Sequence, residues 1–490
     1  MTRLAFATPE LRPFSKTGGL ADVSDALSAA LARRGIETTV FSPCHRSAKD
    51  WLAHHAVPTH EQALPQSLRV GSHRYPLIYR VLEDGGRRLV FVVNDALYDR
   101  KNLYVDDSGR DYADSVNRFA YFCRAVLEYY VCSGEPPDIF HAHDWQSALI
   151  PVYLKALYRP RPLLDAKSVL TVHNLGYQGL FPADQIYVTG LGWDVFHPEG
   201  LEFHGRLNFL KGGVIFADAV TTVSPTYAKE IQTEEFGKGL HGVMHGQRQK
   251  LSGILNGIDT DVWNPAADPH LPAQYSVGHL EGKATCKEAL QRQMGLPVRP
   301  HSFLLGVVSR FDRQKGIHLV TEVFRRLTDL DVQIAILGLG EREIEQDVRR
   351  LVETQPDRAA ALLAFDESLA HRIEAGADAF LMPSAYEPCG LNQMYSQRYG
   401  TVPIVREIGG LKDTVVDFSS ERMAAGTASG FSFAPFTAAA LEQAVRRAAD
   451  LFHSHPKTWA ELMRLIMRLD HSWEESARAY VRLYEKLVTH

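Results

Sequence analysis

The chain has 490 residues, 45% hydrophobic and 23% charged, which is too long for one ordinary core and normal for a globular protein. A formal net charge of −5 leaves no basic footprint, and this argues against nucleic acid or an anionic membrane as the main partner. Five cysteines without metal-type spacing, no apolar leader and no apolar run of roughly 18 residues point to reduced thiols in the cytoplasm and to no membrane span.

The first strand is expected at Leu4-Ala-Phe-Ala-Thr8, and Leu20, Val23, Leu27 and Leu31 then recur at helical spacing. Between them lies Phe14-Ser-Lys-Thr-Gly-Gly-Leu-Ala-Asp-Val23, which sets Lys16, Gly18 and Gly19 where the strand turns into the helix. A helix N-terminus without side chains in the way favours an anion, and Lys16 adds a full charge there. The same letters fit a plain tight turn with a solvated lysine. An echo favours the first reading: Gly409-Gly-Leu-Lys-Asp413 follows the apolar run Val402-Pro-Ile-Val405 and opens a second helix-like stretch. One such turn in each half suggests two nucleotide-fold domains facing one ligand.

Further apolar runs alternate with helical patterns: Thr38-Thr-Val-Phe41, Leu89-Val-Phe-Val-Val93, Asp138-Ile-Phe-His141, Ser168-Val-Leu-Thr-Val172 and Ala219-Val-Thr-Thr-Val223. The pattern weakens from about 265 to 300, then restarts with Phe303-Leu-Leu-Gly-Val-Val308, Val332-Gln-Ile-Ala-Ile-Leu337 and Ala379-Phe-Leu-Met382. That alternation predicts an α/β fold of doubly wound parallel sheets. The domains are expected at 1–250 and 251–470. A last helix, 471–490, carries Ala477, Tyr480, Val481, Tyr484 and Leu487 on one stripe.

In such folds ligands sit beyond the carboxyl ends of the strands, and polar groups gather there. Arg310 and Lys315 in Ser309-Arg-Phe-Asp-Arg-Gln-Lys-Gly316 could neutralise a leaving diphosphate, or could belong to a solvated basic loop. Glu387, in Pro383-Ser-Ala-Tyr-Glu-Pro-Cys-Gly-Leu-Asn392, could accept hydrogen bonds from sugar hydroxyls, or could be a capping carboxylate. His141-Ala-His143-Asp144-Trp145 has the letters of a metal site but lacks a further cluster of ligands, and Trp145 suits stacking on a sugar face. His173 and Asn174, followed by Tyr177-Gln-Gly-Leu-Phe181, read as one wall of a polar cleft with aromatic lining, with a satisfied structural histidine as the alternative. There is no Gly-x-Ser-x-Gly elbow and no Walker A pattern, and Gly338-Leu-Gly340 lacks the rest of a dinucleotide fingerprint.

Together these motifs resemble the bacterial glycogen synthase and plant starch synthase family of retaining glucosyltransferases with the two-domain GT-B fold. Added to those above are Phe209-Leu-Lys211, Val223-Ser-Pro-Thr-Tyr227, Leu255-Asn-Gly-Ile-Asp259 and Gly409-Gly-Leu-x-Asp-Thr414, all in family order. The resemblance implies two Rossmann-like domains across a cleft, with the last helix returning to the N-terminal domain. It implies transfer of glucose from ADP-glucose, ahead of UDP-glucose, to an α-1,4-glucan, without cofactor or metal. Lys16, Gly18 and Gly19 would meet the diphosphate and the sugar, with Asp22 ordering the turn. Arg310 and Lys315 would stabilise the leaving group, and His173, chiefly by its carbonyl, would sit under the anomeric carbon. Glu387 would hold glucose hydroxyls, with Asn174, Cys389, Gly390 and Leu391 also on the substrate. Gly409 and Gly410 would present amides to the phosphates, Phe365 would stack on the base, and Asp144 and Tyr98 would face the acceptor. The chain departs from family habit at Tyr395, where wider relatives have a second glutamate, at Phe365, often Tyr, and in Lys101-Asn-Leu-Tyr104. A transferase making a small phosphorylated sugar and a non-catalytic glucan-binding protein are the alternatives.

Overall fold

The computed structural model describes residues 2–158 and 166–489, in two compact units: Met1–Gly257 with Trp473–His490, and Ile258–Ser472. The first is built on a nine-stranded sheet in the order Leu251–Gly253, Ala219–Thr222, Lys167–Val172, Ile139–His143, Arg3–Ala7, Glu37–Pro43, Arg87–Val93, His73–Asp84, His60–Val70. The first seven strands are parallel, and their side chains alternate between two cores. Leu4 and Phe6 enter one with Val40, Leu89 and Ile139, whereas Ala5 and Ala7 enter the other with Phe41, Val90 and Phe140. Helices cover both faces, so these strands read as continuous apolar runs.

The last two strands form an antiparallel hairpin through Gly71, whose φ of +59 suits glycine. Their sequence gives little sign of a strand, because one face is solvated and Pro65 interrupts the outer strand. A register shift between Ala63 and Ser67 absorbs that proline, as an edge strand allows.

The C-terminal helix, Trp473–Val488, belongs to the first unit. Trp473, Ala477, Tyr480 and Tyr484 are buried with Leu27 and Leu31 of the first helix, Gly19–Arg33, and Arg34 pairs with Glu474. Val481 and Leu487 complete the stripe as partly buried residues.

The second unit has a six-stranded parallel sheet: Ala359–Leu362, Val332–Leu337, Phe303–Val308, Ala379–Met382, Val402–Arg406, Phe431–Phe433. Each sheet has one point where the winding reverses. In the first unit it lies between Arg3–Ala7 and Ile139–His143, and in the second between Phe303–Val308 and Ala379–Met382. Ligands of open α/β sheets bind beyond the carboxyl ends at such points.

Candidate active site

In the first unit the reversal brings together the turn after Arg3–Ala7 and the turn after Ile139–His143. Lys16 donates to Asp22 at 2.9 Å, and Asp22 also lies 4.0 Å from Arg12, so the lysine is aimed by the first helical turn. The amides of Thr17 and Gly18 are not open to an anion. Both donate to the carboxylate of Glu10, at 2.7 and 3.2 Å. This narrows the expectation for Gly18 to the space that its missing side chain leaves for the donor: its amide is taken, and a helix N-terminus without side chains in the way begins only at Gly19, which opens the helix. Gly18 itself has extended backbone, and a Cβ placed on it would meet nothing within 4 Å. The fold therefore gives no packing reason for a glycine there. Gly18→Ala is expected to leave the melting temperature within about 1 °C, as a surface change does, while raising the donor KM several-fold. A melting shift with an unaltered KM would refute that assignment of the open space.

His141 and His143 are buried and run in file with the half-buried His173. His141 is hydrogen-bonded to the Tyr484 hydroxyl at 2.7 Å and to Thr171 Oγ1 at 2.6 Å, so both ring nitrogens are engaged. His143 Nδ1 lies 2.9 Å from His173 Nε2. Burial holds His141 and His173 down to about 3 and His143 well below the usual range, so all three are neutral near pH 7. Among the described residues no group of three or more His, Cys, Asp and Glu is placed to hold a metal ion.

Asp144 adopts φ +55, a left-handed backbone that Asp tolerates better than most residues, and accepts the His173 amide at 2.7 Å. Burial pushes its carboxyl up to about 7, against the His173 and Asn174 amides and aided by the charge of Glu10. A raised acid favours the folded state while neutral. That contribution is complete below its unfolded pKa of about 3.9 and is lost as the pH rises through about 7. Asp144→Asn should therefore gain stability relative to the parent by about 1–3 kcal/mol between pH 4 and pH 8. Parallel urea titrations at the two pH values check this, and a pH-independent difference would contradict it.

The expectations for Tyr98 on the acceptor side and for Trp145 on a sugar face need correction. Tyr98 is fully buried, with its hydroxyl donating to the Arg118 carbonyl at 2.8 Å, so no sugar reaches it. Trp145 packs on Phe119 with ring centroids 4.8 Å apart and lies against Gly179, where a Cβ would come within 2.4 Å of its ring. It is a wall of the core rather than a platform. Two other motif residues also have structural work. Lys211 donates to the carbonyls of Pro198, Gly200 and Glu202, and Ser224 caps the helix Pro225–Glu230.

In the second unit the loops after Phe303–Val308 and Ala379–Met382 are zipped together. Ala385 donates to the Gln314 carbonyl at 2.7 Å, and Gln314 Nε2 to that of Tyr386 at 3.2 Å. Gly316, at φ +69, lies so near that a Cβ would stand 2.1 Å from the Pro383 carbonyl oxygen. Asp312 caps the turn by accepting the Lys315 amide. The result is an ion pair at 2.6 Å between Lys315 Nζ and Glu387 Oε2, an oxygen that also accepts from Ser384 at 2.9 Å. Glu387 is only 5% exposed. Arg310 is exposed, 3.7 Å from Asp312, and Arg313 is more solvated still.

The glycines of the second Gly-Gly turn serve this loop. A Cβ on Gly409 would lie 1.8 Å from the Glu387 carbonyl oxygen, and one on Gly410 would lie 2.2 Å from that of Cys389. The Gly410 amide is shared between the carbonyls of Glu387 and Pro388, so it is not offered to a phosphate as expected. Cys389 is buried, Gly390 takes φ +73, and Leu391 precedes the helix Asn392–Arg398. Phe365 is 78% exposed just before Asp366, which caps the next helix, so its ring has an open face. No motif gives a role to Glu10, Tyr104 or Ser384, although Tyr104 and Ser384 lie in stretches that stand out for other reasons. Glu10 is a lone acidic residue three positions beyond the first strand, too little to single it out.

A model described as the starch synthase catalytic domain matches residues 3–246, and one described as glycosyl transferases group 1 matches residues 295–462. The chain is 47% identical to a glycogen synthase of Anaeromyxobacter dehalogenans (strain 2CP-1 / ATCC BAA-258) over 489 residues, 99% of each chain. It is 41% identical to that of Thermotoga maritima over 491 residues, again 99% of each. Among solved structures it is similar to the catalytic domain of starch synthase IV from Arabidopsis thaliana bound to ADP and acarbose. That match has a TM-score of 0.89 and 34% identity and covers 100% of this chain and 99% of that one. A sucrose-phosphate synthase from Thermosynechococcus elongatus, at TM-score 0.61 and 18% identity over 100% of both chains, shares the fold alone.

Proposed function

Because this chain belongs to the glycogen and starch synthase family of glycosyltransferases, we propose that it elongates an α-1,4-glucan at the non-reducing end with glucose from ADP-glucose, retaining configuration. The observation that carries the chemistry is the Lys315–Glu387 pair, which sets a cation for a departing diphosphate beside a carboxylate for sugar hydroxyls. The choice of ADP and of a glucan is supported by similarity to the starch synthase IV domain bound to ADP and acarbose.

In this reaction the bond from the glucose anomeric carbon to the diphosphate oxygen breaks. A bond to the acceptor 4-hydroxyl oxygen forms on the same face, and the hydroxyl proton leaves with the diphosphate. Charge grows on two sides at once. Lys315 and Arg310 meet the negative charge on the diphosphate, and such preorganised groups lower a barrier without reorganising. The His173 carbonyl meets the positive charge on the sugar. A neutral imidazole adds no competing cation, and the hydrogen bond that the His173 amide donates to Asp144 fixes the direction of the turn. Glu387 Oε2 holds Lys315, and we assign the sugar hydroxyls to Oε1. Phe365 offers its open face to the base, while Lys16 and the helix amides from Gly19 onward meet the phosphates.

No helix among the described residues is long and apolar enough to cross a membrane, and all five cysteines are free; we place the protein in the cytoplasm. The function is tested with ADP-glucose and UDP-glucose, each offered with maltohexaose, glucose 6-phosphate and fructose 6-phosphate. Maltoheptaose and longer chains from ADP-glucose are expected. A soluble phosphorylated disaccharide as the sole product would replace this reading.

A further inference from the structure

Glu10 is 4% exposed, and its carboxylate collects four donors: the Thr17 amide and hydroxyl at 2.7 Å each, the Gly18 amide at 3.2 Å, and the Tyr104 hydroxyl at 2.8 Å. Its backbone is held as well, since Thr8 Oγ1 donates to the Glu10 carbonyl at 2.9 Å and lies 2.7 Å from Ser24 Oγ in the first helix. Tyr104 belongs to a largely exposed segment that closes on itself. Arg100 pairs with Asp114, Tyr112 N–H donates to the Tyr104 carbonyl, and Val105 bridges Asp111. Among the described residues, Tyr104 to Glu10 is the hydrogen bond that joins this segment to the Lys16 turn.

We propose that Glu10 is a positioning residue that couples the Lys16-Thr17-Gly18 turn to the segment carrying Tyr104, so that the grip on the donor diphosphate depends on that segment. The role of the Lys16 turn rests on the function proposed above. By taking two amides, the carboxylate fixes where the turn bends and directs a phosphate to Lys16 and the amides from Gly19 onward. All four bonds require an acceptor. A glutamine has one oxygen and an NH2 group that faces N–H or O–H donors, so Glu10→Gln must release part of the cluster. Tyr104→Phe removes only the link to the segment.

Both variants are compared with the parent by steady-state kinetics, by calorimetric titration with ADP, and by hydrogen exchange of the peptide covering residues 11–20. Glu10→Gln is expected to raise the donor KM and the ADP Kd about tenfold with kcat changed less than threefold, and Tyr104→Phe to raise both about threefold. The double variant should be no worse than Glu10→Gln alone, because both act through one carboxylate. Exchange at residues 11–20 should quicken in each. A packing role alone would lower kcat and the melting temperature together and leave KM in place. If Glu10→Gln fails to fold, Tyr104→Phe carries the test. Unchanged exchange, or additive effects of the two substitutions, overturns the coupling whatever the donor is. Failure of the parent to bind ADP, with faster exchange in the variants, overturns the donor assignment and leaves the coupling standing.

Discussion

Lys315→Ala is expected to lower kcat by about a hundredfold or more while weakening nucleoside diphosphate binding far less, because its charge matters most when negative charge develops on the leaving group. Its geometry adds a complication. Nζ lies 2.6 Å from Glu387, whose side chain is nearly buried, so removing the lysine strands a carboxylate at a cost of about 1–3 kcal/mol. The double variant Lys315→Ala, Glu387→Gln separates the two effects. It should recover much of the lost stability, since neither charge is left alone, but none of the lost turnover. Arg310→Ala should show the kinetic loss with little loss of stability, because Arg310 is exposed. Unchanged kcat with only a raised KM in both single variants would remove the leaving-group role.

Gly409→Ala should be nearly as damaging without touching any charged group. At φ +46 alanine is strained, and its Cβ would need to occupy a point 1.8 Å from the Glu387 carbonyl oxygen. The obstacle is backbone, which cannot rotate away, so the Glu387–Cys389 turn must shift and carry the Lys315 pair with it. A displacement of about 1 Å in a positioning group costs on the order of a hundredfold in rate. A drop of that order in kcat, with a melting temperature lowered by several degrees, is expected. Normal turnover would mean that the placement of Glu387 does not matter.

The inner parallel strands of both sheets were legible in the sequence because burial on both faces writes them as unbroken apolar runs, whereas the short edge strands Leu251–Gly253, Ala359–Leu362 and Phe431–Phe433 were not. The hairpin at residues 60–84 was not, since one solvated face and Pro65 break that signature. The helix Glu281–Met294 was hidden in the weakly patterned stretch for a different reason: it buries polar residues. Lys283 donates to the Ala375 carbonyl and Thr401, and Lys287 pairs with Asp378, where an apolar stripe would be sought. At the site, residue types and strand ends identified Lys315 and Glu387, but their contact depends on two loops far apart in sequence. Glu10 was missed because a single carboxylate after a strand has no pattern, and only the fold shows the four donors around it. Gly410 was misread for the converse reason. A Gly-Gly turn before a helix resembles an anion site, and in the fold its amide faces two carbonyls.

The proposed reaction passes glucose from ADP-glucose to a glucan with retention. Proton NMR of the purified protein with ADP-glucose and maltohexaose follows donor loss, ADP release and each new linkage in one sample. One ADP per glucose added, with every new anomeric signal in the α-1,4 region and none in the β region, is the predicted result. ADP release without chain growth, or new β-linked glucose, would contradict it.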